Sequence, residues 1–193
     1  MKTSKSLALQ SSILWPSATL TVTLRGVMKW KTLNGEDVPD LVEFVKTNAA
    51  DGQVVHIGTD SLQVNRFTQF VTVVCILTPL KGGRAIYCRE IVKRISSLQQ
   101  RLLGEVWRSV ELGMQLCSLI EDGKLHIHID ANPQEKYMSS RYVQELVGLV
   151  VGQGFKSLIK PESWAATHAA DWAVRHLNKK PLRIVKGARK KHA

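Results

Sequence analysis

Two stretches decide how the chain is read: Val54-Val55-His56-Ile57-Gly58-Thr59-Asp60-Ser61 and Leu125-His126-Ile127-His128-Ile129-Asp130-Ala131-Asn132-Pro133. Each begins as a short apolar run of the kind that forms a buried strand. Each reaches an aspartate and then turn-forming residues. A carboxylate at the end of a buried strand is costly unless a positive charge pairs with it. If the two strands are neighbours, Asp60 and Asp130 face and repel each other. A divalent cation answers both problems, and a hard, oxygen-only donor set suits Mg²⁺ or Mn²⁺.

Outward from these strands the chain alternates. Asn34-Gly35 is a turn signal, and the spacing of Val38, Leu41, Val42 and Val45 predicts a helix over 36–48. Strands are expected over 54–60, 68–78 and 84–94, the last two forming a hairpin through 79–83. A long helix follows over 96–122, with Ser96-x-x-Gln99 resembling a capping box at its start and Gly123 suiting its end. A strand over 125–130, a helix over 139–151, a strand over 155–159 and a helix over 163–177 complete the pattern. This order predicts an α/β fold: a five-stranded mixed sheet, order 3-2-1-4-5, flanked by helices. With Lys81-Gly82 as the hairpin centre, Cys75 stands opposite Cys88.

The helices carry further acids. Glu105 lies on the flank of the stripe Leu102, Leu103, Val106, Val110, Met114 and Cys117, within reach of the sheet edge; taken singly it reads sooner as a solvated helix acid than as a ligand. Trp164, His168, Asp171 and Arg175 share one stripe of the last helix, where Asp171 either faces the site or pairs with Arg175. His168 is an accessory candidate. Ser61, Asn132, Ser140, Arg141, Lys160 and Ser163 are candidates for substrate contacts, several of them near helix starts whose free N–H groups favour a phosphate. Plain capping accounts for Ser139, Ser140 and Ser163 as well. His126, His128 and Asp130 alternate along one strand face in an H-x-H-x-D pattern that also begins a zinc-hydrolase motif, but Ala131 follows where that motif continues with histidine. His56 and His128 are better read as neutral core histidines beneath the aspartates.

A chain of 193 residues, 44% hydrophobic and 22% charged, suits one globular domain with a proper core. Its apolar runs are too short to span a bilayer. Three cysteines without a C-x-x-C pair are expected to be reduced thiols in a cytoplasmic protein. The net charge of +11 is concentrated at the ends: five basic residues in 1–35 and eight in 175–193, with no acid in either. Basic ends attract polyanions without choosing a sequence, or act as solvated tails. The expected organisation is a poorly ordered leader over 1–33, a folded domain over 34–178 and a basic tail over 179–193. Met28 precedes the first foldable sequence and is an alternative start.

The two strand motifs, together with Arg101-Leu102-Leu103-Gly104-Glu105, Ser139-Ser140-Arg141 and Lys160-Pro161-Glu162-Ser163-Trp164-Ala165-Ala166, resemble the ribonuclease H-like fold and, within it, the YkuK-type family of bacterial and phage proteins. The matching segments span roughly 36–178. That resemblance implies a carboxylate set of Asp60, Glu105, Asp130 and Asp171 holding Mg²⁺ or Mn²⁺, and a two-metal hydrolysis of nucleic-acid phosphodiesters. The expected partner is nucleic acid, RNA or DNA. The alternative is a nucleic-acid-binding module that keeps the fold and cuts nothing.

Overall fold

The computed structural model describes residues 28–49, 52–78 and 82–165. In chain order these form β1 (Trp30–Thr32), β2 (Asp37–Val38), α1 (Leu41–Asn48), β3 (Val54–Val64), β4 (Phe67–Thr78), β5 (Gly82–Lys93), α2 (Leu98–Leu116), β6 (Leu125–His128), α3 (Val143–Val151) and β7 (Lys156–Leu158). The strands make one sheet of order β2-β1-β5-β4-β3-β6-β7. β4 runs antiparallel to both β3 and β5, while β6 is parallel to β3 and β7 parallel to β6.

The mixed α/β sheet is as expected, but it has seven strands, and its order differs from the five-stranded one. The difference lies at one edge. β1 pairs with β5 through Lys31↔Tyr87 and Thr32↔Ile86, and β2 pairs with β1. Residues 30–32, assigned above to the leader, are thus part of the sheet, and Trp30 is buried. Strands of three and two residues are too short to display an alternation pattern.

Helix starts shift by a few residues for local reasons. The Asp40 side chain accepts the Glu43 N–H at 3.0 Å, so α1 begins at Leu41 and not at Glu36. Ser97, not Ser96, caps α2 by accepting the Gln100 N–H. A 3₁₀ turn at Ser140–Tyr142 precedes α3, and neither Ser139 nor Ser140 caps it. Of the expected last helix, residues 166–177 lie outside the described residues.

Right-handed crossovers place all three helices together. β2 to β3, β5 to β6 and β6 to β7 are parallel connections that proceed in the same direction across the sheet, so α1, α2 and α3 fall on one face. Their side chains Val45, Val106, Val110 and Leu146 join Val55, Ile57, Val74 and Ile127 in a single core. The opposite face carries Val71, Val73, Cys75 and Tyr87, packed with Leu33, Trp164 and Ala165.

The two thiols lie on opposite faces, which corrects the expected juxtaposition. β4 and β5 are joined by the three residues 79–81, Gly82 already belongs to β5 with φ +90°, and Cys75 pairs with Ala85 while Cys88 pairs with Thr72. A register displaced by three residues, an odd number, reverses which side chains share a face. Both thiols are free, and burial pushes each up to about 12.

β3 also continues past Asp60 to Val64 and turns into β4 through Asn65-Arg66, with Asn65 at φ +52°. Asp60 is therefore inside a long strand rather than at its end. Its parallel neighbour does end there. The last β3–β6 pair is Gly58↔His128, and Asp60 and Asp130 each lie two residues further on. The carboxyl end of the parallel pair is thus where both acids stand.

Candidate functional site

Asp60 shares the sheet face that carries His56, and Asp130 stands two residues beyond the end of β6, while Glu105 comes from α2, which packs on the other face. α2 is brought in close by Gly104: a Cβ there would come within 3.3 Å of the Phe70 ring and of the Arg108 side chain. Arg108 lies over Phe70 with its charge 3.7 Å from the ring centre and bonds Glu90 of β5 at 2.6 Å, clamping the helix to the sheet. One turn after Glu105, Ser109 donates to the Glu105 carbonyl at 3.3 Å, and its hydroxyl is 2.8 Å from that of Thr59. The residue that precedes Asp60 is thereby tied to the backbone of Glu105.

The Glu105 carboxyl is buried, 5% exposed, and hydrogen-bonds to Ser61. Burial raises its pKa well above the usual range, and the negative charges of Asp60 and Asp130 raise it further. The solvated alternative for Glu105 is therefore excluded. Arg101, four residues earlier on α2, partly offsets the shift; its Nη1 is 3.4 Å from Ser61 Oγ. Its buried Nε has no hydrogen-bond partner among the described residues. The i, i+4 spacing of Arg101 and Glu105 on one helix is the signal in the sequence for this pairing.

Asp130 is held differently. Lys160 Nζ lies 2.6 Å from its Oδ1. The Lys160 N–H bonds the Ala131 carbonyl at 3.2 Å, and the Ile129 N–H bonds the Leu158 carbonyl at 2.8 Å. These contacts extend the β6–β7 pairing to the acid.

Beneath the aspartates, His56 Nδ1 and His128 Nε2 are 2.8 Å apart. Both rings are buried, and the Ala165 N–H donates to His128 Nδ1 at 3.2 Å. Burial pushes His56 down to about 3 and His128 down to about 4. Trp164 packs on both, with ring centres 5.0 and 5.3 Å away. This is the neutral core pair expected from sequence.

Of the expected substrate contacts, Ser61 and Lys160 adjoin the acids. Ser163 is buried beside the histidine pair. Asn132 is engaged in its own turn: its N–H bonds Ser139 Oγ and its side chain accepts the Gln134 N–H. Arg141 is exposed and lies over the Tyr142 ring, with its charge 5.9 Å from the ring centre, and Ser140 opens the 3₁₀ turn. Asp171 and His168 lie outside the described residues.

Among the described residues no three His, Cys, Asp or Glu side chains close on one point as metal ligands would. The donor set nonetheless fits a hydrated divalent ion. Mg²⁺ is commonly held by one or two carboxylates plus water and substrate phosphate, and Glu105 is buried within the field of two further carboxylates. Also among the described residues, no helix is long and apolar enough to cross a membrane.

The comparisons agree with this geometry. The ribonuclease H-like family model matches residues 36–175. The chain is 26% identical over 142 residues to the uncharacterized protein YkuK of Bacillus subtilis (strain 168), covering 65% of this chain and 81% of that protein. No solved structure matches. With most of its length matched by that model and this relative beside it, the chain belongs to the ribonuclease H-like family, in its YkuK-type branch.

Proposed function

We propose that this protein is a metal-dependent nuclease that hydrolyses phosphodiester bonds of RNA or DNA. The observation that carries the reading is the buried Glu105 carboxyl, set against Asp60 and Asp130 with its pKa raised by both. Three acids from three separate elements at one sheet edge destabilise the fold unless a cation gathers them, and a site selected for chemistry is a reason to retain that cost. Asp60, Glu105 and Asp130, with Asp171 from outside the described residues, would hold Mg²⁺ or Mn²⁺. A divalent ion bound there supplies Lewis acidity to a phosphoryl oxygen and a water acidified toward neutral pH. The protein's own groups do the rest. Ser61 orients Glu105 by hydrogen bonding. Arg101 directs a half-buried guanidinium to the same place, its Nη1 3.4 Å from Ser61 Oγ, where the charge can meet a phosphate oxygen. Lys160 offers a second positive charge from the β7 side. The basic ends would hold the polyanion without reading its sequence.

A second reading, a nucleic-acid-binding module without cleavage, is favoured by one observation: Lys160 already neutralises Asp130. The deciding experiment is incubation with labelled RNA–DNA hybrid, single-stranded and duplex substrates in Mg²⁺ or Mn²⁺, with Asp60→Asn as control. Cleavage lost in the variant supports the nuclease. Binding without cleavage of any substrate supports the module.

A further inference from the structure

The Lys160–Asp130 pair is more than a surface contact. Its N–O distance is 2.6 Å and its side chains are only 32% and 20% exposed. The lysine's backbone is laced to the strand end that carries the aspartate, through Lys160 N–H to Ala131 and Ile129 N–H to Leu158. The ammonium is thus delivered by main-chain pairing and does not depend on a long side chain finding its partner. It sits on one of the oxygens that a divalent ion would need. Two positive charges at contact distance on one carboxylate oxygen repel each other strongly.

Resting on the metal reading of this site, we propose that Lys160 is a resident cation which a divalent ion must displace from Asp130, so that it sets the ion concentration at which the site loads. The exchange leaves the lysine's backbone where it was. The released ammonium therefore remains at the edge of the site, placed to meet a substrate phosphate. Loading the ion and readying the phosphate contact become one event. Without Lys160 a divalent ion would meet one positive charge fewer at Asp130.

The test is divalent-ion affinity of the full chain without nucleic acid, measured for Mn²⁺ by electron paramagnetic resonance and for Mg²⁺ by calorimetry. Lys160→Met and Lys160→Gln are both made, so that a folding defect in one does not end the experiment. Each is expected to bind the ion about fivefold more tightly than wild type, the size of effect a partly exposed ion pair supports. Lys160→Arg, which keeps the charge, is expected to stay near wild type, and Asp130→Asn to weaken binding in every background. Met and Gln variants at or below wild-type affinity overturn the proposal. So does equal tightening in Lys160→Arg, because the charge would then not be the cause. If neither wild type nor Lys160→Met binds Mn²⁺, the metal reading falls and takes the exchange with it. If wild type binds and only the tightening fails, the metal reading stands alone.

Discussion

Lowering the pH from 7.5 to 5.0 is expected to cost the fold about 4 kcal/mol through His56 and His128. In the unfolded chain both titrate near 6.5, so both take up protons over this interval. In the folded protein burial holds them down, to about 3 and about 4, and they remain neutral at pH 5.0. The unfolded state then binds more protons than the native state, and stability falls as the pH falls. The loss begins near pH 6.5 and continues until the folded rings themselves titrate. At pH 5.0 each ring contributes about 2 kcal/mol, and this needs only that both folded values lie below 5. Glu105 works in the opposite sense: its raised folded value means that stability is lost as the pH rises. A comparison that leaves Glu105 in place removes its contribution.

Urea denaturation at the two pH values, followed by tryptophan fluorescence, measures the effect, since Trp164 packs on both rings. Wild type is compared with His56→Gln/His128→Gln and with each single variant. The double variant should lose about 4 kcal/mol less between pH 7.5 and 5.0, and each single variant about half of that. A wild type that loses no more than the double variant would refute the picture of a buried neutral pair.

Glu105→Gln removes a buried charge from the field of two others and should raise the stability of the ion-free protein by about 1 kcal/mol, seen as a melting temperature higher by a few degrees; a lower melting temperature would mean that the carboxyl is already well compensated. Mg²⁺ or Mn²⁺ at millimolar concentration should raise the melting temperature of wild type, because the ion binds the native state only, and Asp60→Asn or Asp130→Asn should abolish the rise. Deleting 180–193 removes six of the positive charges of the C-terminal end, and should weaken nucleic-acid binding and flatten its salt dependence while leaving cleavage at saturating substrate intact. Unchanged affinity would reduce that end to a solubility device.

The central sheet was legible because 54–60, 68–78, 84–94 and 125–130 carry long or strongly β-branched patterns that survive tertiary packing. What was missed has local causes. β1 and β2 have three and two residues, and they exist because β5 offers an edge to pair with. The Asn65-Arg66 turn lacks the glycine that usually marks a two-residue hairpin, so the sequence pattern stops at Asp60, four residues short of the end of β3. The cysteine register failed because assigning Gly82 to the turn and not to the strand shifts the pairing by an odd number of residues.

The site was half legible for a different reason. Acids announce themselves in sequence because a carboxylate that closes an apolar run conflicts with its surroundings, and Asp60 and Asp130 stand out on that ground alone. The positive charges that must accompany them do not conflict with anything local. Arg101 is an ordinary residue of a helix start, and Lys160 an ordinary residue before a proline. Their roles follow from where the backbone delivers them: α2 drawn onto β4 at Gly104, and β7 extended past Leu158 until Lys160 meets Asp130. That delivery depends on strand register, which one-dimensional patterns specify poorly. It also bears on function. Three acids suggest an ion-binding site, but a lysine already seated on one of them serves a fold that never loads an ion as well as one that does. The presence of the acids alone therefore does not separate nuclease from binding module. What separates them physically is whether a divalent ion outcompetes the Lys160 ammonium at Asp130, because only then do the carboxylates stop being a liability managed by the fold and become the means of holding a reacting phosphate.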